Sequence, residues 1–237
     1  DGSKTKDVTT YAYDQYGRVL TADTDHTNAD GSTYHVKSTY EYDQFGRVSK
    51  VTSVKTQVID GKTQVSTDVT TNTYDQYGRV AKALIVHTDA AGIVTQDELT
   101  YQYDSFGRVS KLTTLHTAAD GTKTTKEDAY NYDDNGQIIV TGNTTTNPNN
   151  NTSNGNTTYM YDAYGRMIRA TTVTTNPDGT KNTNVVTYTY DSFGRVSSQT
   201  SIFTKPDGTV NTDVTTYTYD SNGRLSQSIT DRTSAGN

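Results

Sequence analysis

The sequence predicts an all-β fold, a repetitive antiparallel β-hairpin meander of about sixteen strands. Three observations carry this expectation. A six-residue motif recurs at an even spacing, two kinds of turn signal alternate along the chain, and the stretches between them are rich in Thr, Val and Tyr. Such residues favour strands. The sheet is expected to be elongated and twisted or spiralling, with a β-solenoid as the alternative.

The motif is "YDQYGR" at Tyr13–Arg18, "YDQFGR" at Tyr42–Arg47 and "YDQYGR" again at Tyr74–Arg79. Its aspartate falls at Asp14, Asp43, Asp75, Asp104, Asp133, Asp162, Asp191 and Asp220. Six of the seven gaps are 29 residues, and the gap from Asp43 to Asp75 is 32. A period of this size marks a repeat architecture. Residues 1–237 therefore read as a single array of eight units, a fragment of a longer protein.

Each unit carries two turns. The first is the Asp-x-x-Gly of the motif, so Asp14, Gly17, Asp43, Gly46, Asp75, Gly78, Asp104, Gly107, Asp191 and Gly194 are read as structural turn residues. Asp bonds backbone amides ahead of it, and Gly accepts positive φ. The second lies midway, at Asn28–Ser32, Ala118–Thr122, Asn176–Thr180 and Lys205–Thr209, where Asp-Gly implies a turn ending in a Gly bulge. The intervening stretches of about ten residues are the strands, and no segment has helical periodicity.

Register follows from parity. Because side chains alternate faces, an odd repeat keeps equivalent residues on one face only if the two turns differ by one residue. A four-residue Asp-x-x-Gly loop is expected to pair Tyr190 with Arg195. A three-residue loop is expected to pair Asn176 with Thr180, or Thr175 with Lys181. In the long repeat, the bare Asp-Gly of "VIDGKT" implies a two-residue loop that pairs Ile59 with Lys62.

One face then carries the tyrosine pairs such as Tyr40 and Tyr42, or Tyr188 and Tyr190. Each motif Arg is expected opposite the nearer Tyr of its own hairpin, with Ser49, Ala81, Ser110 and Ser197 opposite the farther one. The other face carries Thr39, Thr100, Thr187 and Thr216 with Val19, Val48, Val80, Val109 and Val196.

Composition bounds the function. Apolar residues make up 30%, nineteen residues are Tyr, and Cys and Trp are absent. That is too few aliphatic residues for an ordinary two-layer core. The net charge is −6, from 21 Lys and Arg against 27 Asp and Glu, with the basic residues scattered. No nucleic-acid partner is expected, and no apolar run is long enough to span a membrane. The absence of Cys excludes disulfides and thiolate metal sites.

The tandem YDxxGR signature resembles the YD or RHS repeats of bacterial surface and toxin proteins and of teneurins. The resemblance covers the whole chain. It implies β-hairpins in a long spiralling sheet, in some members a shell around a toxin. The repeats here are longer, and neither an RHS core-associated segment nor a toxin domain accompanies them. The resemblance thus implies a stalk more than a closed shell.

Candidate sites are few. Asp-x-x-Gly lacks the extra carboxylates that Ca²⁺ needs. His26, His87 and His116 share one repeat position, a weak metal constellation with no evident carboxylate partner. No nucleophile, base and orienter come together, so no enzyme activity, cofactor or metal is expected. Irregular neighbours of the Thr rows argue against ice binding. The candidate binding edge is the aromatic row in the turns, Tyr16, Phe45, Tyr77, Phe106, Tyr164 and Phe193, about 10 Å apart. Such rings either fold back over Arg or offer a platform to a carbohydrate or a host surface protein. Asn135 and Asn222 replace the ring in two units. The functional expectation is a structural stalk or spacer of an adhesin-like bacterial protein, extracellular, at the cell surface (cell-wall attached) or secreted, flanked by repeats of the same chain. The alternatives are a glycan- or host-protein-binding module and a shell segment of a toxin complex.

Overall fold

The computed structural model describes residues 5–149 and 151–235. The strands are β1 (Lys6–Tyr13), β2 (Val19–Thr27), β3 (Thr33–Tyr42), β4 (Val48–Ile59), β5 (Lys62–Tyr74), β6 (Val80–Thr88), β7 (Val94–Tyr103) and β8 (Val109–Thr117). They continue as β9 (Lys123–Tyr132), β10 (Ile138–Thr146), β11 (Thr152–Tyr161), β12 (Met167–Thr175), β13 (Lys181–Tyr190), β14 (Val196–Thr204), β15 (Val210–Tyr219) and β16 (Leu225–Ala235). All sixteen belong to one sheet in chain order, and β1 and β16 have a neighbour on one side only. Pairing is antiparallel, so the chain is a meander and not a parallel solenoid. No helix able to cross a membrane occurs among the described residues. The chain divides into two compact units, Asp1–Gln102 with Thr113–Thr124, and Tyr103–Leu112 with Thr125–Asn237.

Both turn types close in the same way. Asp191 N–H donates to the Arg195 carbonyl at 2.8 Å and Gly194 N–H to the Asp191 carbonyl at 3.0 Å. In the midway turn, Asn176 N–H donates to the Thr180 carbonyl at 2.8 Å and Gly179 N–H to the Asn176 carbonyl at 2.9 Å. Each is a three-residue loop whose glycine has positive φ, 81° at Gly194 and 82° at Gly179. Thr175 faces Lys181 as expected. The four-residue loop does not form: Tyr190 faces Val196, and Arg195 lies across from Asp191. A type I turn closed by a left-handed Gly matches strand twist better than a loop without the bulge. The same closure occurs at Asp89–Ile93, where no Asp-Gly marks it, and Asn147 N–H donates to the Asn151 carbonyl at 3.0 Å. In the long repeat Ile59 faces Lys62, with φ 50° at Asp60 and 71° at Gly61. Two consecutive positive φ values define the expected two-residue loop.

The one-residue difference that parity demands comes from a second bulge. Tyr190 faces Val196 but Thr189 faces Ser198, so Ser197 is the extra residue. The bulge returns at Leu20, Ser49, Ala81, Ile139, Ile168 and Ser226. It corrects the face assignments. Ser49, Ala81 and Ser197 sit in the bulge, while Val51 faces Tyr40 and Gln199 faces Tyr188. Val19, Val48, Val80 and Val196 face Tyr13, Tyr42, Tyr74 and Tyr190, not the Thr row. Hydroxyls of Thr189 and Ser197, 2.8 Å apart, tie one bulge to the strand opposite.

The bulge also shears the sheet. Thr158 faces Thr171, and Thr171 faces Val185, although the repeat equivalent of Thr158 is Thr187. Likewise Thr10 faces Asp23, and Asp23 faces Lys37, two residues short of Thr39. Every such repeat slides two residues along the strands, about 7 Å. The slide places the motif Tyr of one repeat beside the motif Arg of the repeat before.

There is little core. Ala83, 7% exposed, is the one buried hydrophobic residue among those described. Cross-strand pairs stand in its place. Thr9 with Thr24, Thr157 with Thr172, and Thr215 with Thr230 bring their hydroxyls to 2.9 Å at equivalent positions. Such pairs contribute roughly 0.2–1 kcal/mol each.

Candidate functional site

The aromatic edge is built on the motif aspartate. Asp14 Oδ1 accepts the backbone N–H groups of Tyr16 at 2.8 Å and Arg18 at 2.9 Å, while Oδ2 accepts Arg18 Nε–H at 2.7 Å. The same three bonds recur at Asp43, Asp104 and Asp191. One carboxylate thus closes the loop and aims the arginine.

Five of the motif arginines lie against two rings each. Arg18 lies 5.1 Å from the Tyr16 ring centroid and 4.3 Å from that of Tyr42 in the next repeat. Arg47 lies between Phe45 and Tyr74, Arg108 between Phe106 and Tyr132, Arg166 between Tyr164 and Tyr190, and Arg195 between Phe193 and Tyr219. The expectation that Arg covers the Tyr of its own hairpin is corrected: shear carries it to the next. That Tyr then donates its hydroxyl backwards, Tyr42 to the Val19 carbonyl at 2.7 Å and Tyr190 to the Met167 carbonyl at 2.6 Å. Burial, the largest influence, raises the hydroxyl pKa of Tyr190, and the Tyr161 hydroxyl is raised the same way. Where Gln137 replaces Arg, its Nε2–H donates to the Gly165 carbonyl at 2.8 Å.

The turn rings themselves remain open. Tyr16, Phe45, Tyr77, Phe106, Tyr164 and Phe193 are 72–84% exposed. Between consecutive turns lie notches lined by aromatic rings and an Arg. One of about 510 Å³ is lined by Phe45, Arg47, Tyr74 and Tyr77, and one of about 410 Å³ by Phe193, Arg195 and Asp220. Where Asn135 stands, the notch measures about 370 Å³ and keeps Phe106 and Arg108.

Gly46 serves the next-repeat contact as well as its own turn. With φ 81°, it would place a Cβ 3.3 Å from Arg18 Nη1, whereas a Cβ at Gly17, with φ 78°, meets nothing within 4 Å. Gly17→Ala is expected to cost about 1 kcal/mol from backbone strain alone. Gly46→Ala is expected to cost more, because the Arg18 guanidinium must also move. Denaturant unfolding compares the two, and equal losses would remove any role for the Arg18 contact.

The histidines find partners that their repeat position did not reveal. His26 bonds Asp7, His87 bonds Asp68 at 2.6 Å, and His116 bonds Asp97 at 2.7 Å. Asp7 faces His26, and Asp68 faces His87, directly across the hairpin. The signal was an aspartate nineteen residues ahead of each histidine. His35 bonds Asp25 at 2.9 Å and Asp23 at 3.0 Å. Among the described residues no group of three or more His, Cys, Asp or Glu is placed to hold a metal.

The carboxylates and His35 set a pH window. At Asp14, Asp43, Asp75, Asp104 and Asp191, desolvation is the largest influence and pushes the pKa up, but the combined donors of the loop and Arg hold it below the ordinary value. At Asp162 the Arg166 side chain is the largest influence, and it lowers the pKa. A depressed folded pKa gives stability that is complete above the unfolded value near 4 and is lost as pH falls through the folded one. His35 is raised, first by its bond to Asp25. Its contribution is complete below the unfolded value near 6.5 and is lost as pH rises through the folded one. Urea midpoints are therefore expected to fall below pH 4 and to decline above neutrality. His35→Gln is expected to flatten the alkaline limb only.

The RHS Repeat family model matches residues 81–123, so the RHS-type resemblance holds for that segment. No curated protein matches the chain. Among solved structures, a porin-like protein from Bacteroides vulgatus ATCC 8482 is 14% identical with a TM-score of 0.39, covering 72% of this chain and 91% of that one. A porin-like protein from Bacteroides uniformis ATCC 8492 is 15% identical with a TM-score of 0.37, covering 87% and 92%. The TcdB2-TccC3-TEV structure is 16% identical with a TM-score of 0.40, covering 94% of this chain. This chain spans 15% of that one.

Proposed function

We propose that this chain is a structural repeat segment, a stalk or spacer within an adhesin-like bacterial protein displayed at the surface or secreted. The observation that supports this reading is the repetition of one inter-repeat lock, Arg held between two rings with a Tyr hydroxyl bonded to the preceding strand, at Arg18, Arg108, Arg166 and Arg195. A device repeated along the array suits length and rigidity better than catalysis, and no chemistry is assigned to the segment. Antibody labelling of intact cells that carry the full-length protein tests the location. Replacing the segment with an unrelated rigid spacer of equal length tests the role, and retained adhesion is the expected result.

The exposed aromatic notches favour a second reading, a module that binds glycans or a host surface protein. Flat rings beside hydrogen-bonding groups suit sugar faces. A glycan array separates the two readings. The spacer binds nothing, whereas the module binds and loses that binding when Tyr16, Phe45 and Phe106 become Ala.

A further inference from the structure

We propose that the β10–β11 hairpin is an acceptor site for N-linked sugar, and that Asn143 and Asn156 are the residues modified. The first observation is where the acceptor sequence falls. Asn-x-Ser/Thr, the pattern that asparagine-directed glycosyltransferases accept, occurs at Asn143, Asn150, Asn151 and Asn156. All four lie between residues 143 and 156, and no other asparagine of the chain has Ser or Thr two residues on. Asn150 lies outside the described residues. Asn143 and Asn156 are exposed strand residues. Because strand side chains alternate, each shares a face with the threonine two residues on, Thr145 or Thr158, so amide and hydroxyl are presented together.

The second observation is the glycine opposite each of them. Fourteen of the described glycines have positive φ and sit in turns. The other two, Gly142 and Gly155, lie inside β10 and β11. Gly142 faces Asn156 and, one pair along, Asn143 faces Gly155, so the two asparagines stand on opposite faces. A glycine inside a strand weakens it and marks a place where another group approaches closely. A Cβ at Gly142 would meet nothing within 4 Å. The Asn143 side chain lies over Gly155, with Oδ1 2.7 Å from where a Cβ would stand, so any other residue there would push it aside. In the next repeat Thr158 faces Thr171, where this one has Ala129 facing Gly142. The space so opened is a depression of about 450 Å³ beside Asn156, lined by Gly142, Ala129, Thr144 and the Lys111–Glu127 ion pair, 2.7 Å apart. Donors and acceptors around a floor without long side chains suit the hydroxyls of a first sugar ring.

The reaction takes a separate transferase and a sugar carried on a diphosphate. Asn Nδ2 forms the bond to sugar C1. The bond from C1 to the diphosphate oxygen breaks, and its electron pair leaves on that oxygen. One amide proton passes to a base of the transferase. This chain supplies the acceptor alone, whether the array is a spacer or a binding module.

Mass spectrometry of the protein purified from the cells that make it tests this. Trypsin releases all four acceptor sequences in one peptide, Glu127–Arg166. Fragmentation that preserves the bond to sugar is expected to place the modification on Asn143 and Asn156. Thr145→Ala is expected to abolish it at Asn143, and Thr158→Ala at Asn156, whereas Thr145→Ser and Thr158→Ser retain it. Gly142→Thr, which restores the residue of the next repeat, is expected to lose most of the sugar at Asn156 and to leave Asn143 unchanged. A peptide found only in its bare form overturns the proposal, as does sugar confined to Asn150 and Asn151. Modification that persists in both Thr→Ala variants refutes the acceptor sequence, and unaltered occupancy of Asn156 in Gly142→Thr refutes the role of the facing glycine.

Discussion

Tyr190→Ala is expected to destabilise the chain by about 2–3 kcal/mol, although the ring is only half-buried. Three contributions meet at that side chain. Arg166 stacks 4.4 Å from the ring centroid, worth about 0.5–1 kcal/mol. The hydroxyl donates to the Met167 carbonyl at 2.6 Å, worth about 0.5–1.5 kcal/mol. The apolar ring area removed from water accounts for about 1 kcal/mol more. Tyr190→Phe separates these terms. It keeps the ring and the stacking and is expected to cost about 1 kcal/mol. Tyr13→Phe is the internal control, because Tyr13 lies on the outermost strand; its effect in dilute solution is expected to stay within about 0.5 kcal/mol. Urea unfolding of the three variants, with hydrogen exchange across β12 and β13, makes the comparison. Equal losses for the Phe variants at positions 190 and 13 would show that the backward hydroxyl bond does not lock the repeats together.

Much of this architecture is legible in the sequence, because the repeat states it eight times. The place and the glycine of the Asp-x-x-Gly turn read directly, although its loop has three residues and not the expected four. Asp has the reach to accept two amides ahead of it, and Gly takes the left-handed position without cost. The bare Asp-Gly at Asp60 and Gly61 reads as a two-residue loop for the same reason, and the three extra residues of its repeat then fall into longer strands. Parity alone requires one hairpin type to contain an extra residue.

Where that residue goes was not legible. Ser197, Ser49 and Ala81 look like small residues opposite a ring, but Leu20, Ile139 and Ile168 occupy the same bulge. A position that accepts Ser, Ala, Leu and Ile has no composition signature, because the bulge is imposed by the backbone on either side of it. Once it was misplaced, the arginines were assigned to the wrong hairpin, since a two-residue slide decides which Tyr each one meets. The His–Asp pairs went unseen for a related reason. His26 and Asp7 lie nineteen residues apart, and only the register at the far end of the hairpin makes them neighbours. The exposure of the turn rings, by contrast, was legible, because each stands in the middle of an exposed turn.

Deleting one whole repeat is expected to leave a folded chain, while deleting one residue fewer is expected to be severely destabilising. Removing residues 162–190 joins Tyr161 to Asp191. The motif is restored, the bulge at Ser197 follows at its proper distance, and Tyr161 keeps its hydroxyl bond to the Ile138 carbonyl at 2.8 Å. Arg195 still meets Tyr219 at 4.3 Å. A nearest-neighbour array then loses one unit and one interface, with a modest loss of stability. Removing residues 162–189 retains Tyr190 between Tyr161 and Asp191. The new hairpin closes with Tyr190 in the motif position, which turns Tyr161 and Tyr159 to the opposite face. The register of β11 with β10, and the Tyr161 hydroxyl bond to the Ile138 carbonyl, hold them on the original one. The two requirements conflict along the whole of β11, because a one-residue slip inverts every side chain. The junction is expected to lose roughly 3 kcal/mol or more relative to the 29-residue deletion, through lost cross-strand pairs and one lost Tyr lock. Thermal unfolding with near-ultraviolet circular dichroism of the tyrosines distinguishes the two chains. Equal melting temperatures would mean that face alternation does not govern this sheet, and that the constancy of the 29-residue period has some cause other than register.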